Sequence, residues 1–379
     1  MSQEATELDK IVEKQAEGED FEGKLFRGFE KHQEFTDLQN AFLYGSSDQV
    51  KDEDAILNKL TFIFHEYLEQ SYLLDPYLEQ LVAPVVEQLK AHAVELQPLN
   101  GDSPQGARIG RIATLLYSYI KFRGHKTITR FFPHEIADLS IALNYLLLPG
   151  GLVQDPTQWP LRYVMLLWLS LICMLPFDLA QFDESDKPGH TAAEIEHVAK
   201  THLNKAGIER DGAAILLARL YLRKDMHDKF PTFLDWCVQV VNTSSEPFSA
   251  IGCVRVLCEV ANSGSSDLVQ SNGTTLFDVT RSIPQRSILI NNTIMRTLRT
   301  KLLSRVAIRL LPARPSGNRR KGRLLSGEDH NESIALEEVD IDVPEEVEEV
   351  LEELFQSLQD KVRYSRSNGD SCSRDSPLR

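Results

Sequence analysis

The chain is poor in cysteine, has no apolar run of membrane-spanning length, and hardly anywhere alternates apolar and polar residues with period two. Its five cysteines (Cys173, Cys237, Cys253, Cys258 and Cys372) are scattered over 379 residues and odd in number. That argues against a disulfide framework and for reduced thiols. The most apolar stretch, YVMLLWLSLICMLPFDL at 163–179, runs 13 residues from Tyr163 to Leu175 before Pro176 closes it. Crossing a bilayer takes roughly 20 such residues, so no membrane span is expected. The stretch reads instead as a helix buried nearly all round, which demands neighbours on both sides. The N-terminus, MSQEATELDKIVEK, has no basic flank leading into an apolar core, and no signal peptide is expected. A net charge of −15 argues against nucleic acid as the main partner.

Enzyme signatures are missing too. There is no GxGxxG in a strand-to-helix context and no Walker A; the stretch GNRRKG at 317–322 lacks the spacing. His65-Glu66 and His134-Glu135 each begin a zincin motif, but Glu69 and Asp138 stand where its second histidine belongs. Cys253 and Cys258 have no partner pair for zinc and read as small core residues. Asp178, Asp183 and Glu184 fit a solvated loop after a buried helix better than a catalytic carboxylate pair. No catalytic residue, metal or cofactor is expected.

What the chain has is helix period. Ile56, Leu57, Leu60, Ile63, Phe64 and Tyr67 form one stripe; Leu78, Leu81, Val82, Val85, Val86 and Leu89 form a second after Asp75-Pro76. Further helices are expected over 106–121, from Pro133 through Leu146 with Ile136 in the stripe, and over 157–175, 191–205, 210–225, 230–241, 246–262 and 292–311. Helix pairs at intervals of roughly 40 residues suggest an all-α, HEAT/armadillo-like helical-repeat solenoid; a compact helical bundle is the competing architecture. The expected division is a polar, partly helical segment at 1–50, the solenoid at 51–312, a basic-to-acidic linker at 313–343, an amphipathic helix at 344–361 and a tail at 362–379.

Charge reverses sharply near the end. From Arg281 to Arg323 there is no acidic residue; from Glu328 to Asp360 there are 14 and no Lys or Arg. Arg296, Arg299, Lys301, Arg305 and Arg309 decorate a helix whose apolar stripe is Met295, Leu298, Leu302, Val306 and Leu310. This basic ridge is a candidate surface for an acidic protein partner, or equally for the acidic segment 328–360 folding back on it. A second candidate cluster is Arg123, Lys126, Arg130 and His134.

Three stretches carry a resemblance: LLDPYLEQLVAPVVEQL (73–89), KFRGHKTITRFFPHEIADL (121–139) and WPLRYVMLLWLSLICMLPFDL (159–179). With the Arg-Gly-x-Lys-Thr turn, Phe-Pro-His-Glu and Arg-Tyr…Trp-Leu…Pro-Phe-Asp in order, the chain resembles the tubulin-folding cofactor D (tubulin-specific chaperone D) family from about residue 25 to Lys361. The resemblance implies a HEAT/armadillo-rich cytoplasmic scaffold, possible microtubule association included. It further implies binding of β-tubulin, work with cofactors E and C and α-tubulin on heterodimer assembly, stimulation of tubulin GTP hydrolysis, and regulation by an Arf-like small GTPase. It implies no catalytic residues. Family members are much longer, so the resemblance makes this chain the first third, with a tail at 362–379 too polar to cover the 344–358 stripe. The alternative reading is a HEAT-type adaptor or transport scaffold with a non-tubulin partner.

Overall fold

The computed structural model describes residues 26–45, 50–95, 103–311 and 345–358, and the linker and tail expectations lie outside them. Among the described residues there is no strand. The helices used below are α1 (His32–Tyr44), α2 (Val50–Glu66), α3 (Leu78–Glu95), α4 (Pro104–Arg123), α5 (Asp138–Leu147), α6 (Trp159–Ile172), α7 (His190–Leu203), α8 (Glu209–Tyr221), α9 (Phe230–Thr243), α10 (Pro247–Ser263), α11 (Gly273–Ser282), α12 (Thr293–Leu310) and α13 (Glu345–Leu358). Contacts divide the chain into two units, 1–90 with 114–131, and 91–113 with 132–379.

The first unit is built on aromatics. Phe35 packs on Phe64 with centroids 5.0 Å apart, and Phe64 on Tyr119 at 4.8 Å. Such edge-on and tilted pairs add to simple burial. Inside this apolar core the Gln39 amide is held at both ends: Gln39 Nε2 donates to the Leu81 carbonyl at 2.7 Å, and the Tyr119 hydroxyl donates to Gln39 Oε1 at 2.5 Å. Burial pushes the Tyr119 phenol well above its usual range, so it stays a neutral donor. Helix α4 ends at Gly124, whose φ of +86° suits the turn RGHKT and is strained for any residue with a Cβ.

The second unit stacks helices in the manner of a HEAT/armadillo solenoid. Helix α8 packs against α6, α7 and α10, and α10 in turn against α9 and α12. The apolar run seen in the sequence becomes α6, opened by Pro160 in its first turn, and every residue from Pro160 to Ser170 is buried. Layers on both sides account for that. Packing is close enough for glycine to matter: a Cβ on Gly252 of α10 would stand 2.7 Å from the Leu203 carbonyl at the end of α7.

Boundaries differ from the periodic reading in two places. The segment expected to start a helix at Pro133 does not; α5 begins at Asp138. The Asp138 carboxylate accepts the Glu135 amide at 2.9 Å, which holds a turn there and leaves Ile136 exposed rather than in the stripe. After α2 the chain continues as a 3-10 stretch, Leu68–Tyr77, and α3 starts only at Leu78. Helix α11 fell outside the periodic segments altogether.

Candidate functional site

The side chains with chemistry in the second unit are mostly arginines, and most of them hold backbone. Arg162, alone among the apolar residues of α6, is buried and pairs with Glu209 of α8. Its other nitrogens donate to the carbonyls of Val153 at 3.1 Å, Pro156 at 2.9 Å and Asp155. Arg223 grips the chain leaving α6, donating to Cys173 O at 2.9 Å, Leu175 O at 3.2 Å and Phe177 O. Asp225 accepts from the same guanidinium at 2.9 Å and from the Leu179 amide at 3.1 Å. Arg286 closes the end of α9, reaching Val241 O at 2.7 Å and Ser244 O at 2.5 Å. The last carbonyls of a helix have no intrahelical donor and carry the negative end of its dipole, so a guanidinium fork suits them.

The basic helix α12 follows the same rule. Arg305 donates to Cys258 O at 2.6 Å, and Arg309 to Asn262 O at 2.6 Å and Ala261 O at 3.3 Å, all at the C-terminal end of α10. Arg299 donates to Thr280 O near the end of α11 at 2.8 Å and also pairs with Glu353 of α13. Arg296 is half-buried and Lys301 is exposed. All five basic residues stand on α12, and Arg299, Arg305 and Arg309 hold backbone carbonyls within the second unit. Met295, Leu298, Leu302 and Val306 are buried as the stripe requires, with Leu303 and Ala307 added, and Leu310 is half-buried. In the first unit Arg123 forms a bidentate pair with Asp75, both contacts at 2.5 Å, while Lys126 and Arg130 are exposed. His134, in the second unit, is exposed and its Nδ1 lies 3.0 Å from Phe132 O.

One face of the second unit gathers the remaining charge. Along α10 the residues from Ala250 to Ala261 are buried except Arg255 and Glu259. Arg255 reaches Asp211 of α8 at 3.1 Å, and Glu259 meets Arg305 of α12 at 3.6 Å. Arg219, two turns beyond Asp211, donates to Ser170 Oγ of α6 at 2.9 Å. Burial pushes the Asp211 carboxyl up despite Arg255 and Arg210. The product is a half-buried ladder of alternating sign across α8, α10 and α12.

The other titratable groups have structural posts. The Asp183 carboxylate accepts from the amides of Gly189 at 2.6 Å and Thr191 at 2.8 Å, capping α7, and these bonds hold its pKa down. Glu184 pairs with Lys187 at 2.6 Å. Cys253 is buried, and Cys258 Sγ donates to Leu298 O at 3.3 Å. Among the described residues no cluster of His, Cys, Asp and Glu is placed to hold a metal ion, and no helix is long and apolar enough to cross a membrane. The capping arginines outside α12 went unnoticed in the sequence, because a carbonyl acceptor leaves no residue-type signal.

Residues 64–241 match the family profile described as tubulin-specific chaperone D-like, ARM repeat. Tubulin-folding cofactor D of Schizosaccharomyces pombe is 25% identical over 69% of this chain and 22% of its own length. Tubulin-specific chaperone D of Dictyostelium discoideum is 21% identical over 49% of this chain and 18% of its own length. The chain thus spans about a fifth of the curated relatives it matches. No solved structure matches.

Proposed function

We propose that this chain, a tubulin-specific chaperone D-like ARM-repeat scaffold over residues 64–241, binds β-tubulin and helps assemble the α/β-tubulin heterodimer. The observation that carries the reading is that match, which covers residues 64–241 and so includes the stacked helices α6 to α8 of the second unit. Helical repeats of this kind present extended surfaces built from many helices, and the residues with chemistry here hold helix ends together instead of facing a substrate. The chain itself is a scaffold, not an enzyme. Stimulation of GTP hydrolysis would then act on the nucleotide site of tubulin, in company with cofactors E and C and under an Arf-like small GTPase, in the cytoplasm.

The mechanism is holding and handing over. Release of a client upon docking of its partner subunit requires affinity that differs between the two client states. The charged ladder of α8, α10 and α12, with the exposed Lys301, and the exposed Lys126 and Arg130 of the first unit are the contact residues we put forward. Surface charge of this kind steers encounter more than it sets affinity.

Size-exclusion chromatography with light scattering tests the reading, using the full chain with and without tubulin heterodimer. A 1:1 species that survives about 0.15 M salt, where exposed charges are screened beyond about 8 Å, is the expected result. A chain that ignores tubulin at every salt concentration overturns it and leaves a HEAT-type adaptor with another partner.

A further inference from the structure

Helices α9 and α10 are joined by only Ser244, Ser245 and Glu246, so they turn back as a hairpin and pack on each other. In such a pair, residues equally far from the turn stand opposite one another. Cys237 lies seven residues before Ser244, and Cys253 lies seven after Glu246. Both belong to apolar faces. Cys237 continues the buried stripe of Phe230, Phe233, Leu234 and Val241 on α9, and Cys253 falls in the buried run from Ala250 to Val254 on α10. Each is 0% exposed. The two thiols meet, and a side-chain hydrogen bond runs between them. The neighbouring thiols face elsewhere. Cys258, farther along α10 by more than a turn, points to α12 and donates to Leu298 O at 3.3 Å; Cys173 lies past the end of α6.

Helices in contact run about 8–10 Å apart, and each carries its Cα atoms about 2.3 Å from its axis. Facing Cα atoms can therefore stand within the span of about 4.4–6.8 Å that a disulfide bridges. We propose that Cys237 and Cys253 form a disulfide site, where a small-molecule disulfide of the glutathione type staples α9 to α10. The Cys237 thiol gives up its proton and attacks one sulfur of the reagent, and a reagent thiolate leaves. The Cys253 thiol, deprotonated in turn, attacks the Cys237 sulfur of the mixed disulfide, and the second reagent thiolate leaves. Two protein thiols are oxidised, one reagent disulfide is reduced, and the two protons end on the two reagent thiols. Burial pushes the Cys237 thiol up, so the first attack waits for the hairpin to open. The second is intramolecular, and the closing hairpin itself presents the resolving sulfur. Once formed, the staple makes the opening of this storey depend on redox poise. The inference needs no tubulin and stands apart from that reading.

The test is an equilibrium measurement on the full chain in buffers of reduced and oxidised glutathione, approached from both the reduced and the oxidised protein. Urea below the unfolding midpoint lets the hairpin open, so that the two approaches meet. Acid quenching and peptide mapping then count the disulfide between Cys237 and Cys253. Its effective concentration relative to glutathione is expected to be about tenfold or more higher in the folded chain than in guanidinium-unfolded chain, because the fold holds the sulfurs together. The oxidised chain should also unfold at higher urea than the reduced one. A folded value equal to or below the unfolded value overturns the proposal, since the fold would then keep the sulfurs apart. So does pairing of Cys258 with either residue as often as the two pair with each other.

Discussion

Arg223 donates to three carbonyls of the segment leaving α6 and is held in turn by Asp225. Replacing it with alanine strands those carbonyls in a buried site, and each such group costs about 1–3 kcal/mol. Arg223→Ala should therefore lose about 3 kcal/mol or more in urea unfolding, and Arg223→Lys should recover little of it because a point charge cannot span the fork. His202, at the end of α7, makes the complementary case. Burial pushes its pKa down to about 4, against Glu209, which favours the cation, and with Arg162 and Lys205, which oppose it. In the unfolded chain it titrates near 6.5. The unfolded state thus binds a proton that the folded state refuses, so stability is full above about pH 6.5 and falls as pH drops toward about 4. The loss reaches up to about 3 kcal/mol, and His202→Gln should flatten the slope measured between about pH 7.5 and about pH 5.

At the level of elements, helix-to-helix distance is set by small residues. Gly252 lets α10 approach the end of α7 until a Cβ would meet a backbone carbonyl, which cannot swing aside as a side chain would. Gly252→Ala should cost about 1–3 kcal/mol through overpacking. The control is Gly207→Ala on the exposed turn before α8, where the nearest atom to the new Cβ is 3.7 Å away; its melting temperature should hardly move. Comparing the two by calorimetry shows the cost of close approach, which at Gly252 works against the helix propensity that alone would favour alanine there.

Across the molecule, the second unit has the neighbour-to-neighbour connectivity of a repeat stack, and its response to damage should follow that order. Leu166→Ala, at a fully buried position of α6, should cost about 2–5 kcal/mol. Hydrogen exchange should then rise in α5 and α8, which pack on α6, before it rises in α12; uniform acceleration would contradict this. Most of this architecture was legible as period: the all-round burial of α6, the stripe of α12 and the starts of α7 to α10 follow from where apolar residues recur, though α8 ends at Tyr221, four residues before the expected end. Where a polar side chain decides a boundary, period fails, as at Asp138, whose carboxylate ties a turn the Pro-His-Glu signature cannot show. The candidate site was legible only as charge on one helix. Its arginines take their partners from carbonyls of neighbouring helices, and carbonyls are the same in every residue. The buried thiols carry a last consequence. Burial pushes Cys173 and Cys258 up to about 12 and raises Cys237 as well, so almost none of their thiolate exists at neutral pH. An alkylating reagent can reach these sulfurs only when their surroundings part. The native chain therefore carries its own set of clocks, one just past α6, one in α9 and two in α10, which together time the local opening of three storeys of the stack.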